Sequence, residues 1–172
     1  MTFDQLIVNF VNMVNEIRPK INDELLGYQT LKLQDLITEM VGCCEDRKLY
    51  ESQKFGLPYA ELKVLTLFNG ERYLTVKGIA QRLDVAKSRV TKLTDSLIKR
   101  NLVDRIDDPK DARIKLISLT KAGQKKSEEI NALHREIHRK ILLQMGADER
   151  KGLLSNLELL RSSMEAVKAQ FV

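Results

Sequence analysis

The chemistry-bearing residues cluster first in the stretch from Ile79 to Leu93, where Lys87, Ser88, Arg89, Thr91 and Lys92 fall within two turns of one predicted helix. Arg and Lys suit guanine edges or phosphate oxygens, and Ser and Thr suit bases or backbone. These side chains, with Asp95, project outward if Val90, Leu93 and Leu97 supply the buried face. Lys99 and Arg100 lie further along, at a distance suited to a flanking phosphate. Ahead of them Ile79, Ala80 and Leu83 give a second short apolar face. Ala80 is small enough for two helices to cross closely, Val85 fills the turn, and Asp84 tolerates the left-handed backbone such a turn requires. Two helices joined in this way form a helix-turn-helix, whose second helix can enter a major groove.

Two other constellations invite chemistry. His134 and His138 are four apart on a predicted helix, the spacing of a two-ligand metal site. A zinc-protease pattern needs Glu directly after the first His, and Arg135 stands there. Cys43 and Cys44 are adjacent, and neighbouring helical side chains diverge by ~100°. They do not pair easily with each other, so a redox response needs a bond between subunits. The chain has no Gly-rich phosphate loop, no nucleophile elbow and no further carboxylate or His constellation, which argues against an enzyme.

Charge supports a polyanionic partner. The 172 residues carry a net charge of +5. Residues 75–115 hold eleven basic side chains against six acidic ones, so the whole excess sits in that segment. With 43% hydrophobic residues and only 3 Pro and 8 Gly, disorder and low complexity are excluded. No apolar run is long enough to span a membrane and no signal peptide is visible, so a reducing cytoplasm is the expected compartment.

The surrounding elements follow from periodicity. Phe3, Leu6, Ile7, Phe10, Val14 and Ile17 predict an N-terminal helix that stops near Arg18, before Pro19. A second helix is predicted from about Leu31 to Tyr50. After Gly56-Leu57-Pro58, residues Leu62, Leu65, Leu67 and Phe68 predict a short buried helix ending at Asn69-Gly70. Asn101 closes the helix that carries Val90. Leu102, Val103 and Ile106, then Ile114, Leu116, Ile117 and Leu119, predict two strands joined by the turn Asp107–Ala112. Helical periodicity returns from Lys121, pauses at Gly146, and continues as a heptad-like stripe through Leu153, Leu157, Leu160, Met164, Val167 and Phe171. Such a seam suits a helix of a second subunit.

The hairpin closely resembles the wing of the MarR family of transcriptional regulators. The family pattern, Asp-Pro-x-Asp-x-Arg followed by an apolar strand ending in Leu-Thr, is met at Asp108, Pro109, Asp111, Arg113, Leu119 and Thr120. The stretch from Leu74 to Val103 resembles the family's helix-turn-helix, and the resemblance covers about residues 30–172. Ala86 departs from the usual Ser or Thr cap, and Asn101 from the usual Gly. The resemblance implies a homodimer whose two lobes straddle an approximately palindromic operator, with Arg113 reaching a minor groove and Asp111 holding its guanidinium. Zinc-sensing members imply ligands such as His134, His138, Cys43 or Cys44, and Glu61, although Leu62 stands where those sensors carry a further His.

The expected fold is therefore mainly α with a small β-hairpin: a winged helix-turn-helix domain plus a helical dimerisation domain. Residues 1–55 are expected to supply N-terminal helices of the dimerisation region, 56–120 the DNA-binding domain, and 121–172 C-terminal dimerisation helices. The expected function is a homodimeric regulator, a repressor of double-stranded DNA sites, released by a small ligand bound between the dimer helices and the DNA lobe. Its expected DNA-binding residues are Lys87, Ser88, Arg89, Thr91, Lys92, Lys110, Asp111, Arg113 and Lys115. The competing readings are a winged helix used for protein contacts, and a metal- or redox-sensing variant of the regulator.

Overall fold

The computed structural model describes the backbone of residues 3–108, 111 and 114–171, and the side chains from residue 23 onward except at the undescribed positions. The chain divides into two compact units, Met1–Gly56 and Leu57–Val172. The first is a single helix, α1 (Phe3–Phe55), which runs through Pro19 without the break the sequence predicts near Arg18 and without a fresh start at Leu31. Proline removes one N–H donor and crowds one turn. Glu24, Leu25, Leu26, Gln29, Lys32 and Leu33 beyond it are strong helix formers, so the lost hydrogen bond does not end the helix. Gly56, at φ +63, closes α1 in the left-handed region. Leu25, Tyr28, Leu31, Leu36, Met40 and Val41 of α1 are exposed.

The second unit begins with α2 (Tyr59–Thr66), then β1 (Leu74–Thr75), α3 (Val76–Leu83), α4 (Lys87–Lys99), β2 (Val103–Asp107), β3 (Lys115–Leu119), α5 (Lys121–Leu143) and α6 (Ala147–Lys168). Leu62, Val64, Leu65 and Phe68 bury one side of α2 and the turn after it, and α2 packs on α4 and α5. Ile79 of α3, Val90 and Leu97 of α4, Ile117 of β3 and Ile130 of α5 complete this core, each fully buried. Asp84 and Asn101 take φ of 53° and 58°, the left-handed conformation expected of both.

The sheet has three strands in the order β1-β3-β2, one more than the expected hairpin. Antiparallel pairing sets Leu74 opposite Ile117, and Val103 opposite Leu119 through to Asp107 opposite Lys115. β1 is two residues long, too short to show a two-residue period. Thr75 at its end also caps α3, accepting a hydrogen bond from Gly78 N at 2.9 Å.

Thr120 gives the Leu-Thr ending of the wing a physical role. Its hydroxyl oxygen caps α5 by accepting from Gly123 N (2.9 Å), while the hydroxyl donates to Asn101 O (2.8 Å) at the end of α4. Gly123 sits so close that an added Cβ would lie 1.8 Å from Leu102 O. The start of α5 is thus locked on the connection between α4 and β2.

Candidate nucleic-acid interface

Helix α4 presents Lys87, Ser88, Arg89, Thr91 and Lys92 as exposed side chains, and buries Val90 and Leu97 completely. Thr94, absent from the buried face predicted by sequence, is its third fully buried residue; Leu93 is half-buried. The Thr94 hydroxyl shares its proton between Val90 O (3.0 Å) and Thr91 O (2.9 Å), which satisfies it inside the core. Val90, Thr94 and Leu97 step by four and three, the signal that would have found it.

The start of α4 carries no side-chain cap. Ala86 holds the N-cap position, where its carbonyl accepts from Arg89 N (3.0 Å) and Val90 N (3.3 Å). The first turn of α4, at the positive end of the helix dipole, begins with Lys87 and holds no acidic residue. Thr91 donates its hydroxyl proton to Lys87 O at 3.1 Å, leaving its lone pairs to accept from a partner.

The cations of residues 75–115 divide into two sets. Arg82 bonds Glu71 (2.6 Å) and Leu67 O (3.2 Å), Arg100 pairs with Glu61 (3.4 Å), Arg105 with Asp95 (2.5 Å), and Lys115 with Asp107 (2.5 Å). Through its hydrogen bond the Arg82 guanidinium holds the Glu71 carboxyl below its ordinary pKa, and Arg82 is raised in turn. Asp95, predicted to project freely, is engaged by Arg105, which also reaches Thr94 Oγ1 at 3.5 Å and so ties β2 to α4. By contrast Lys77, Lys87, Arg89, Lys92 and Lys99 are exposed and form no ion pair among the described residues. All five lie on α3 and α4.

On the wing, Asp108 N donates to Ile114 O (3.0 Å) and Ile114 N to Asp111 O (2.9 Å), and the Asp111 side chain is exposed. Lys110 and Arg113, both expected to bind DNA, lie outside the described residues. Lys115 is on β3, exposed and paired across the hairpin with Asp107.

The sensing candidates are spread over separate elements. Cys43 and Cys44 are exposed free thiols on α1. His134 is half-buried and His138 is exposed, both on α5. Glu61 is buried at the start of α2 with Arg100 as its ion-pair partner. Among the described residues no group of three or more His, Cys, Asp or Glu is gathered to hold a metal ion. Nor is any helix among them long and apolar enough to cross a membrane.

Two short helices crossing at a left-handed Asp, a cationic second helix and a β-hairpin behind it define a winged helix-turn-helix. A family model described as the MarR family matches residues 55–114. The transcriptional repressor MdtR of Bacillus subtilis is 34% identical over 110 residues, covering 64% of this chain and 68% of its own. The solved structure of YusO from B. subtilis is 30% identical with a TM-score of 0.59, covering 84% of this chain and 97% of that one. The MepR–DNA complex of S. aureus shares the fold at 22% identity and a TM-score of 0.61, covering 75% of this chain and 95% of that one. The chain belongs to the MarR family, whose members are transcriptional regulators and not enzymes.

Proposed function

We propose that this protein is a cytoplasmic, sequence-specific transcriptional repressor that binds double-stranded DNA as a homodimer and is released by a small ligand. The observation that carries the reading is the set of cations on α3 and α4 without an ion pair among the described residues, exposed on helices whose other side is core. Lys87, Ser88, Arg89, Thr91 and Lys92 would meet base edges and phosphates in a major groove. Lys110, Asp111, Arg113 and Lys115 would belong to a wing that reaches an adjacent minor groove, where a narrow groove concentrates negative potential.

The second subunit is supported by α6, which buries none of its residues and leaves Leu154, Leu157, Leu159, Met164 and Val167 exposed. A helix so apolar and so bare is stabilised by packing against another. Residues 1–55 and 121–172 would supply that dimerisation region, and residues 56–120 the DNA-binding domain. Two lobes on a two-fold axis match half-sites about one helical turn, ~34 Å, apart. Release requires that the ligand prefer one arrangement of the lobes over the other.

The test is fluorescence anisotropy with a duplex enriched by this protein from a random pool. Affinity should fall log-linearly with salt, and Arg113→Ala should weaken binding by about 1–3 kcal/mol. Binding that is absent or indifferent to salt would favour a winged helix built for protein contacts.

A further inference from the structure

Glu61 is the one acidic residue in the first turn of α2, and it is only 4% exposed. It occupies the third helical position, from which a glutamate ordinarily reaches back to the N-cap N–H. Here the N-cap is Pro58, which has no N–H, and Pro58 O instead accepts from Glu61 N (2.8 Å) and Leu62 N (3.2 Å). The carboxylate is therefore free of its usual local duty. Its buried Oε2 receives no hydrogen bond among the described residues, and lies 3.4 Å from Arg100 Nε.

Arg100 is the residue that follows α4, and its side chain is 46% exposed. A buried carboxylate is costly to leave without a counter-charge, so the pair holds the end of α4 against the start of α2 more firmly than two exposed partners would. The other end of α4 starts from an uncapped Ala86. Of the cations on or next to α4, Arg100 is the one set against a buried acid, while Lys87, Arg89, Lys92 and Lys99 stand outward with no ion pair among the described residues.

We propose that Glu61 is a positioning residue for DNA recognition: by pinning Arg100 it fixes the angle at which α4 is presented to the groove, and keeps that guanidinium off the phosphate backbone. Arg100 thereby contributes to discrimination between sequences and not to non-specific attraction. The inference rests on the DNA-binding reading above.

The experiment compares wild type, Glu61→Gln, Arg100→Ala, Arg100→Lys and the Glu61→Gln/Arg100→Ala double variant, each checked for helicity by circular dichroism. The probes are the pool-enriched duplex and a scrambled duplex of equal length, titrated across a salt series. Glu61→Gln should cut the ratio of the two affinities by about fivefold to tenfold. Because the freed guanidinium can now meet a phosphate, the salt slope on the scrambled duplex should steepen by about one. Arg100→Ala should lose a similar share of discrimination with no steeper slope, the double variant should be no worse than Arg100→Ala alone, and Arg100→Lys should restore part of the ratio. Equal loss of affinity for both duplexes in Glu61→Gln, or an unchanged ratio, overturns the proposal; should Glu61→Gln fail to fold, an unchanged ratio in Arg100→Ala does so. Wild type that binds neither duplex in a salt-dependent way would instead refute the DNA-binding reading itself.

Discussion

Two sets of cations share the segment from Thr75 to Lys115, and the structure gives them different work. Arg82, Arg100, Arg105 and Lys115 each end at an acid on another element, joining α3 to the loop after α2, the end of α4 to α2, β2 to α4, and β3 to β2. Lys77, Lys87, Arg89, Lys92 and Lys99 end in solvent on two adjacent helices. An overall charge of +5 therefore says less than its distribution. The paired set is neutralised within the lobe, and the second set leaves its charge open to a polyanion.

The contrast depends first on the lobe staying assembled. Gly123→Ala would drive a Cβ into Leu102 O at 1.8 Å, at the joint between α4, β2 and α5. The backbone there has to move, so thermal or urea denaturation should show a loss of about 3 kcal/mol, the upper range for overpacking, and duplex binding should fall with it. Arg105→Ala separates the two sets more finely. Its pair with Asp95 is partly exposed on both sides, so the stability loss should be at most about 1 kcal/mol, with the salt slope of DNA binding unchanged. The smallest effect concerns acid. Glu71 has a folded pKa depressed by Arg82, so its contribution is present above the unfolded value of about 4.3 and disappears as pH falls through the lower folded value. Stability profiles of wild type and Glu71→Gln should therefore differ slightly near neutrality, and the difference should shrink as pH falls from the unfolded value through the lower folded one.

Much of the lobe is legible in the sequence because its signals are local. Left-handed Asp84 and Asn101, the short apolar runs on either side of the polar Asp107–Ala112 turn and the apolar steps of α4 each need only a few neighbouring residues to be recognised. Long-range pairing is not legible: Asp95 reads as a surface acid until β2 brings Arg105 to it, ten residues away in the chain. β1 is invisible alone, because two residues carry no period and only β3 makes them a strand. Pro19 misleads for the opposite reason, since the loss of one donor is a local penalty and α1 spans 53 residues with many other hydrogen bonds. The residues expected to touch DNA on α4 all prove exposed, but their sequence does not show which neighbouring cations are already neutralised.

The most direct test of the central claim is the salt dependence of duplex affinity for wild type and for a Lys87→Ala/Arg89→Ala/Lys92→Ala variant, with thermal stability measured in parallel. These side chains are exposed and form no ion pair among the described residues, so the melting temperature should hold. The slope of log affinity against log salt should become shallower by about one for each phosphate that the variant no longer neutralises, and by at least about one in all. A variant that keeps the wild-type slope, or that loses binding only because it unfolds, would contradict the assignment of this face to nucleic acid.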